Sequence, residues 1–175
     1  MRIIEKPKPG EFPPYAMMYI KLLPDDGMLL EHLGNNFIAT KTLILSLPDE
    51  KLYFKYQDNK WTIKEILVRI IDDERIYAYR AMSFARNDKT PLPGFEQDDY
   101  AMQSGANQRS IGNILEEFEA VRNSTITLLN GLPENSFLNV GTANNNKATV
   151  RALAYHIAGH ELHHINIIRE KYLQT

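Results

Sequence analysis

Four stretches of this sequence repeat apolar residues at helical spacing, and none alternates them as a half-buried strand would. From Met28 the apolar residues fall at Leu30, Leu33, Phe37, Ile44 and Leu47, with Thr40 in the skipped place, until Pro48. A second helix opens on the capping box Thr62-Ile63-Lys64-Glu65. Its seam runs Ile63, Ile66, Ile70, Asp73, Tyr77, Arg80 and Phe84, and Asn87 and Asp88 end the pattern. A third begins near Ser110, carries Ile111, Leu115, Phe118, Val121, Thr125 and Leu128, and stops by Gly131 and Pro133. The fourth starts near Thr149 and continues to about Tyr172, with Val150, Leu153, Ile157, His160, His164, Ile167 and Lys171 on its seam. Helices with one wide stripe each bury those stripes against one another. The expected fold is all-α: an antiparallel or crossed four-helix bundle with no sheet.

The remaining segments read as connections. Pro7, Pro9, Pro13, Pro14 and Pro24 mark residues 1–27 as an extended N-terminal arm, which leaves 28–175 as the bundle domain. Residues 87–107 hold Pro91, Pro93, Gly94 and Gly105 without a period, and predict a long loop between the second and third helices. Loops of that length are often functional. The polar run Gly141 to Lys147 predicts another loop.

Composition narrows the chemistry. A chain of 175 residues and 20.2 kDa can bury a full core without a disulfide or a metal staple. It contains no cysteine, which removes disulfides, thiolate nucleophiles and cysteine-ligated metals. Lys and Arg total 20 against 22 Asp and Glu, and a net charge of −2 argues against a nucleic-acid partner. The first residues place charge and proline where a signal peptide needs an apolar run, and no window approaches the ~20 apolar residues of a membrane span. A cytoplasmic protein without a membrane partner is the expectation.

What is left for metal or acid–base chemistry is carboxylate and histidine. Four of the five histidines lie between His156 and His164. His160 and His164 occupy seam positions one turn apart on one face, where a pair can chelate a divalent cation. His156 and His163 flank that face and are the candidate bases. On the second helix, Asp73 and Arg80 replace apolar seam residues, with Arg69 and Asp72 beside them. These polar groups have two readings. One is an internal salt-bridge network, Arg69 with Asp72 or Asp73 and Arg80 with a neighbouring helix. The other is a site facing the histidines. His160-Glu161-Leu162-His163-His164 also spells the zinc-protease pattern, but the extended form of that motif wants glycine and histidine where this chain has Ile167 and Glu170. Glu161 falls off the seam, toward solvent, so the protease reading is set aside.

Taken together, Lys60-Trp61-Thr62-Ile63-Lys64-Glu65-Ile66-Leu67 with Asp72, Glu74 and Arg75, then Tyr79-Arg80-Ala81 and Pro91-Leu92-Pro93-Gly94-Phe95, resemble the second helix and following loop of the DinB-like (YfiT-like) superfamily. Val150 to Tyr155 and the block Gly159-His160-Glu161-Leu162-His163-His164 resemble its last helix. The resemblance implies a four-helix bundle, a homodimer, and zinc or nickel held by three histidines. Two of these match His160 and His164; the third position is Arg69 here. Relatives include thiol S-transferases that use bacillithiol or mycothiol, and a mycothiol-dependent isomerase. Three functions follow as expectations. The first is a metal-dependent thiol S-transferase or hydrolase acting on small molecules, with His160, His164 and Asp73 as candidate ligands and a low-molecular-weight thiol as co-substrate. The second is a metal-free relative that holds a small anion against Arg69, Arg80, His160 and His164. The third is a stress-associated dimeric bundle without catalysis.

Overall fold

The structure, a computed structural model, describes residues 2–174. Four long helices form the bundle: α1 (Leu29–Leu45), α2 (Ile63–Ala85), α3 (Ile111–Gly131) and α4 (Val150–Ile167). Three of the four, α2, α3 and α4, start where a side chain satisfies a free backbone amide, whereas α1 starts after Met28 without one. The Thr62 hydroxyl accepts from the Glu65 amide while the Glu65 carboxylate accepts from the Thr62 amide, so both halves of the capping box form. Ser110 caps α3 through the Asn113 amide, and Thr149 caps α4 through the Ala152 amide. Every expected seam residue of α2 is buried.

Helix α4 is the central element. It packs against α1, α2 and the N-terminal segment, and residues 150–161 are buried on all sides. The apolar core falls into two clusters. One gathers Leu29, Leu33, Tyr77, Ala81, Leu129 and the first half of α4. The other gathers Phe37, Ile66, Ile70, Leu115, Phe118 and Ile165. Between them lies a buried polar layer from all four helices: Thr40, Asp73, Glu74, Arg122, His156, His160 and Glu161.

Several expectations change. A sheet is present after all. Strands β1 (Val140–Ala143) and β2 (Asn146–Thr149) pair antiparallel, Val140 opposite Thr149 and Ala143 opposite Asn146. Asn144 and Asn145 both take positive φ, 47° and 59°, the backbone of a type I′ hairpin turn. The turn is an Asn-Asn pair and the strands are four residues each, too short to show alternation. Gly141 is required there, because a Cβ would stand 2.1 Å from the Phe84 ring.

The N-terminal segment is not simply extended. Pro14–Ala16 and Met17–Ile20 form helical turns, and Ile4, Phe12, Ala16, Ile20 and Leu23 are buried in the first cluster. Arg151 of α4 pairs with Glu11 and Glu5, and the Tyr155 hydroxyl donates to the Ile4 carbonyl at 2.9 Å. In the 87–107 stretch, Gln97–Gln103 is helical, and Leu92 exchanges backbone hydrogen bonds with Thr142 and Asn144. Beyond Ile167 the backbone widens into a π turn over Ile168–Tyr172. That rotates the buried face onto Ile168 and Tyr172 and leaves the expected seam residue Lys171 exposed.

Glu161 is the sharpest correction. It points inward, fully buried, 2.8 Å from Arg122 and hydrogen-bonded by the Thr40 hydroxyl at 2.7 Å. From Val150 to Glu161 α4 is enclosed on every side, so a residue off its seam there meets protein rather than water.

Candidate functional site

Helix α2 presents Arg69, Asp73, Tyr77 and Arg80 toward His156 and His160 of α4. Tyr15 and Tyr19 come from the N-terminal turns, and Phe95, Glu96 and Gln97 from the α2–α3 connection. Most of these side chains, together with Asn144, line a cavity of about 340 Å³. Sequence reasoning placed Arg69, Asp73, Arg80 and the histidines in one region; the structure sets Arg69, Asp73, Arg80 and His156 on this cavity, whereas His160, His163 and His164 do not line it. Sequence reasoning missed Tyr15, Tyr19, Tyr77 and Gln97. A tyrosine on a proline-rich segment gives no periodic signal, and Tyr77 looks like an ordinary seam residue.

Asp73 joins two histidines. Its Oδ2 accepts from His156 Nε2 at 3.1 Å and lies 3.4 Å from His160 Nδ1. His160 Nε2 in turn meets His164 Nε2 at 3.1 Å. A carboxylate beside Nδ1 favours the tautomer protonated there, which leaves Nε2 of His160 to accept from His164 Nε2–H. The His156 ring stacks on Tyr77 with centroids 3.6 Å apart, and its Nδ1 is buried without a partner. Tyr19 sets its ring edge-on against His156, His160 and His163.

Burial and nearby positive charge disfavour the protonated forms of His160, His163 and His164. Burial pushes His160 well below the ordinary imidazole value, helped by His164, His156 and Arg69. His164 is pushed down to about 3 by burial and then by Arg69. His163, half-buried, moves the same way for the same two reasons. Burial raises the Tyr19 phenol, and the Asp73 carboxylate adds to it.

Of the two readings of these polar groups, the salt-bridge network of Arg69 and Arg80 is not found among the described residues. Arg69 pairs with neither Asp72 nor Asp73: it lies over the Trp61 ring at 5.1 Å and donates to Gln97, and its buried Nε has no partner. Asp72 instead approaches Arg75, which also bonds Glu117 of α3. Arg80 donates to the Pro93 carbonyl at 2.9 Å and lies over the Tyr77 and Phe95 rings. Two buried guanidinium groups therefore line one cavity without an ion pair among the described residues.

The site is thus carried by a histidine-bearing helix packed on a carboxylate-bearing one inside a mostly helical bundle. The family model of the DinB superfamily matches residues 39–168, and the chain belongs to that superfamily. Among solved structures, YfiT from Bacillus subtilis superposes with a TM-score of 0.75 at 16% identity, over 83% of this chain and 85% of that one. YfiT is described as a probable metal-dependent hydrolase with an unusual four-helix bundle topology. At that identity the likeness is one of fold. No curated protein matches the chain.

The donor set does not fit the three-histidine ligation that the resemblance implies. No group of three His, Asp or Glu side chains among the described residues can hold a metal ion. The third histidine's position carries Arg69, whose charge opposes a cation. Asp73, a candidate third ligand, sits on the Nδ1 side of His160, away from the Nε2 that faces His164. No helix of the described residues is long and apolar enough to cross a membrane.

Proposed function

We propose that this protein is a metal-independent member of its superfamily that binds a small anionic molecule against Arg69. One observation carries the reading: a buried guanidinium with an unpartnered Nε, at the wall of a cavity, with no carboxylate paired to it. Buried charges are ordinarily paired, so an unpaired one calls for a ligand of opposite sign. Arg80 supplies a second fork on the same cavity. Arginine suits the task, since its planar donors match both oxygens of a carboxylate or phosphate.

Trp61 makes the reading easy to test. It is the chain's single tryptophan and lies under the Arg69 guanidinium. Titration with acetate or inorganic phosphate should change its fluorescence saturably, and Arg69→Ala should remove the response. A wild-type protein that responds to neither anion overturns the reading.

A second reading keeps the metal. The two Nε2 atoms of His160 and His164 lie 3.1 Å apart. That is close to the roughly 3.3 Å spanned by two nitrogens on one tetrahedral zinc ion. Under this reading the protein is a metal-dependent hydrolase or thiol S-transferase, with zinc or nickel and a low-molecular-weight thiol. Metal analysis of untagged protein decides: stoichiometric zinc or nickel that chelation removes favours it over the anion pocket. Both readings carry a cytoplasmic homodimer. Its support is the exposed pair Ile38 and Leu45 on one face of α1, and light scattering tests it.

A further inference from the structure

A second cavity, of about 290 Å³, lies directly beside the polar one. Its character is different. Ile76, Tyr79, Leu92, Pro93, Phe95 and Tyr100 line it together with Arg75 and Arg80. Tyr79 and Tyr100 are about half exposed, and the Phe95 ring rests on Tyr100 with centroids 5.2 Å apart. Arg80 and Phe95 belong to both cavities and form the ridge between them.

The ridge is held in place. Leu92 donates to the Thr142 carbonyl at 2.9 Å, and the Asn144 amide donates to Leu92 at 3.0 Å, so the strap carrying Pro93, Gly94 and Phe95 is stitched along β1. A Cβ on Gly94 would meet the Asn144 side chain at 2.5 Å, so the strap lies flush on the hairpin turn. Arg80 closes the other side through its bond to the Pro93 carbonyl. The groove is therefore preformed, which spares a ligand the cost of ordering it.

From this adjacency we infer the class of ligand. It is an amphipathic small acid: a carboxylate or phosphate head beside Arg69, and an aromatic or alkyl tail lying across the Arg80–Phe95 ridge into the Tyr79/Tyr100 groove. This rests on the anion reading above and extends it from a head group to a whole molecule. The groove is mostly apolar and suits a tail, whereas the polar cavity sets the buried Arg69 and Arg80 guanidinium groups where a charged head can reach them. Only a ligand with both ends satisfies both. Arg80, placed on the ridge, can face the first carbons of the tail with its flat guanidinium while its edge serves the head.

The experiment is a series of titrations followed by Trp61 fluorescence and by calorimetry. The probes are acetate, butyrate, hexanoate and phenylpropanoate, with inorganic phosphate and phenyl phosphate as a parallel arm. Affinity should rise about fourfold per buried methylene along the carboxylate arm. Phenyl phosphate should exceed phosphate by a similar gain if the head is a phosphate, and the arm with the tighter binding identifies the head. Tyr79→Ala and Tyr100→Ala should flatten the tail dependence while leaving acetate affinity unchanged. These side chains are half exposed, so folding is not at stake. Arg69→Ala should weaken every probe by roughly tenfold or more. Arg69-dependent binding with no tail dependence overturns the tail inference and leaves the anion reading standing. Tail-dependent binding indifferent to Arg69→Ala overturns the joined ligand. If no probe binds at all, both readings fall together.

Discussion

Arg122 of α3 and Glu161 of α4 meet at 2.8 Å in the centre of the bundle, each about 1% exposed or less. Glu74 of α2 takes the other edge of the same guanidinium, so one arginine ties three helices. Burial disfavours the Arg122 charge, but Glu161 and Glu74 outweigh it and hold it on. Truncating the arginine strands two carboxylates. Arg122→Leu should therefore lose about 3–5 kcal/mol of stability, read from urea unfolding. A loss below 1 kcal/mol in that measurement would mean the layer is wetter than its burial suggests.

Acid should unfold this protein through its histidines. An unfolded chain protonates histidine near the ordinary 6.5, whereas folded His164 resists until about 3. Between those limits the unfolded state binds more protons, so stability is full above pH 6.5 and drains as pH falls. His160 and His163 act in the same direction. Each suppressed proton contributes about 1.4 kcal/mol per pH unit. Glu161 opposes them, because burial raises its pKa and its contribution fades as pH rises above 4.5. Unfolding midpoints across this range should fall with acid, and His164→Gln should shallow the slope by about one proton.

Arginine in place of a third histidine should be what keeps a cation out. A guanidinium ~5 Å from a divalent ion costs about 6 kcal/mol at an effective dielectric of 20. Arg69→His removes that cost and adds a donor beside His160 and His164. Zinc bound per chain, measured on untagged protein after dialysis, should rise from none to near one. An unchanged zinc content would show that Arg69 is not what excludes the metal.

Gly159 sits where α4 touches the N-terminal turn, and a Cβ there would stand 2.3 Å from the Tyr19 carbonyl oxygen. Gly159→Ala gains about 1 kcal/mol of helix propensity and loses roughly 1–3 kcal/mol to overpacking. Net stability should stay level or fall modestly. Anion affinity should fall more clearly, because the turn carrying Tyr19 is pushed off the histidines. Comparing urea unfolding with the Trp61 titration separates the two effects.

Periodicity carried the four long helices, because each has an apolar stripe, and in α2, α3 and α4 a capping side chain announces the start. It also located His160 and His164, since polar residues at seam positions stand out against Leu and Ile. The hairpin stayed hidden because Asn144 and Asn145 make its turn without glycine, and because Gly141, Ala143 and Ala148 bury little side chain. Glu161 was placed outward because a helical wheel knows one core face, whereas α4 from Val150 to Glu161 has neighbours on all sides. Tyr15 and Tyr19 were invisible for a different reason. Their role depends on long-range contacts, Tyr19 with Gly159 and the histidine row and Tyr15 with Tyr77, that no local pattern encodes.

That contact between the Met17–Ile20 turn and Gly159 sets when the pocket comes into being. Its Tyr15–Tyr19 wall and its histidine wall lie far apart in the sequence, with the three long helices α1, α2 and α3 between them. Loop-closure entropy makes such joins late events in folding. A bundle in which α1 to α3 have already docked still has no pocket, so ligand capture reports complete assembly rather than helix content. By mass action the ligand also holds the join closed. The first segment to let go on heating should then be the N-terminal one, and a bound anion should delay its release.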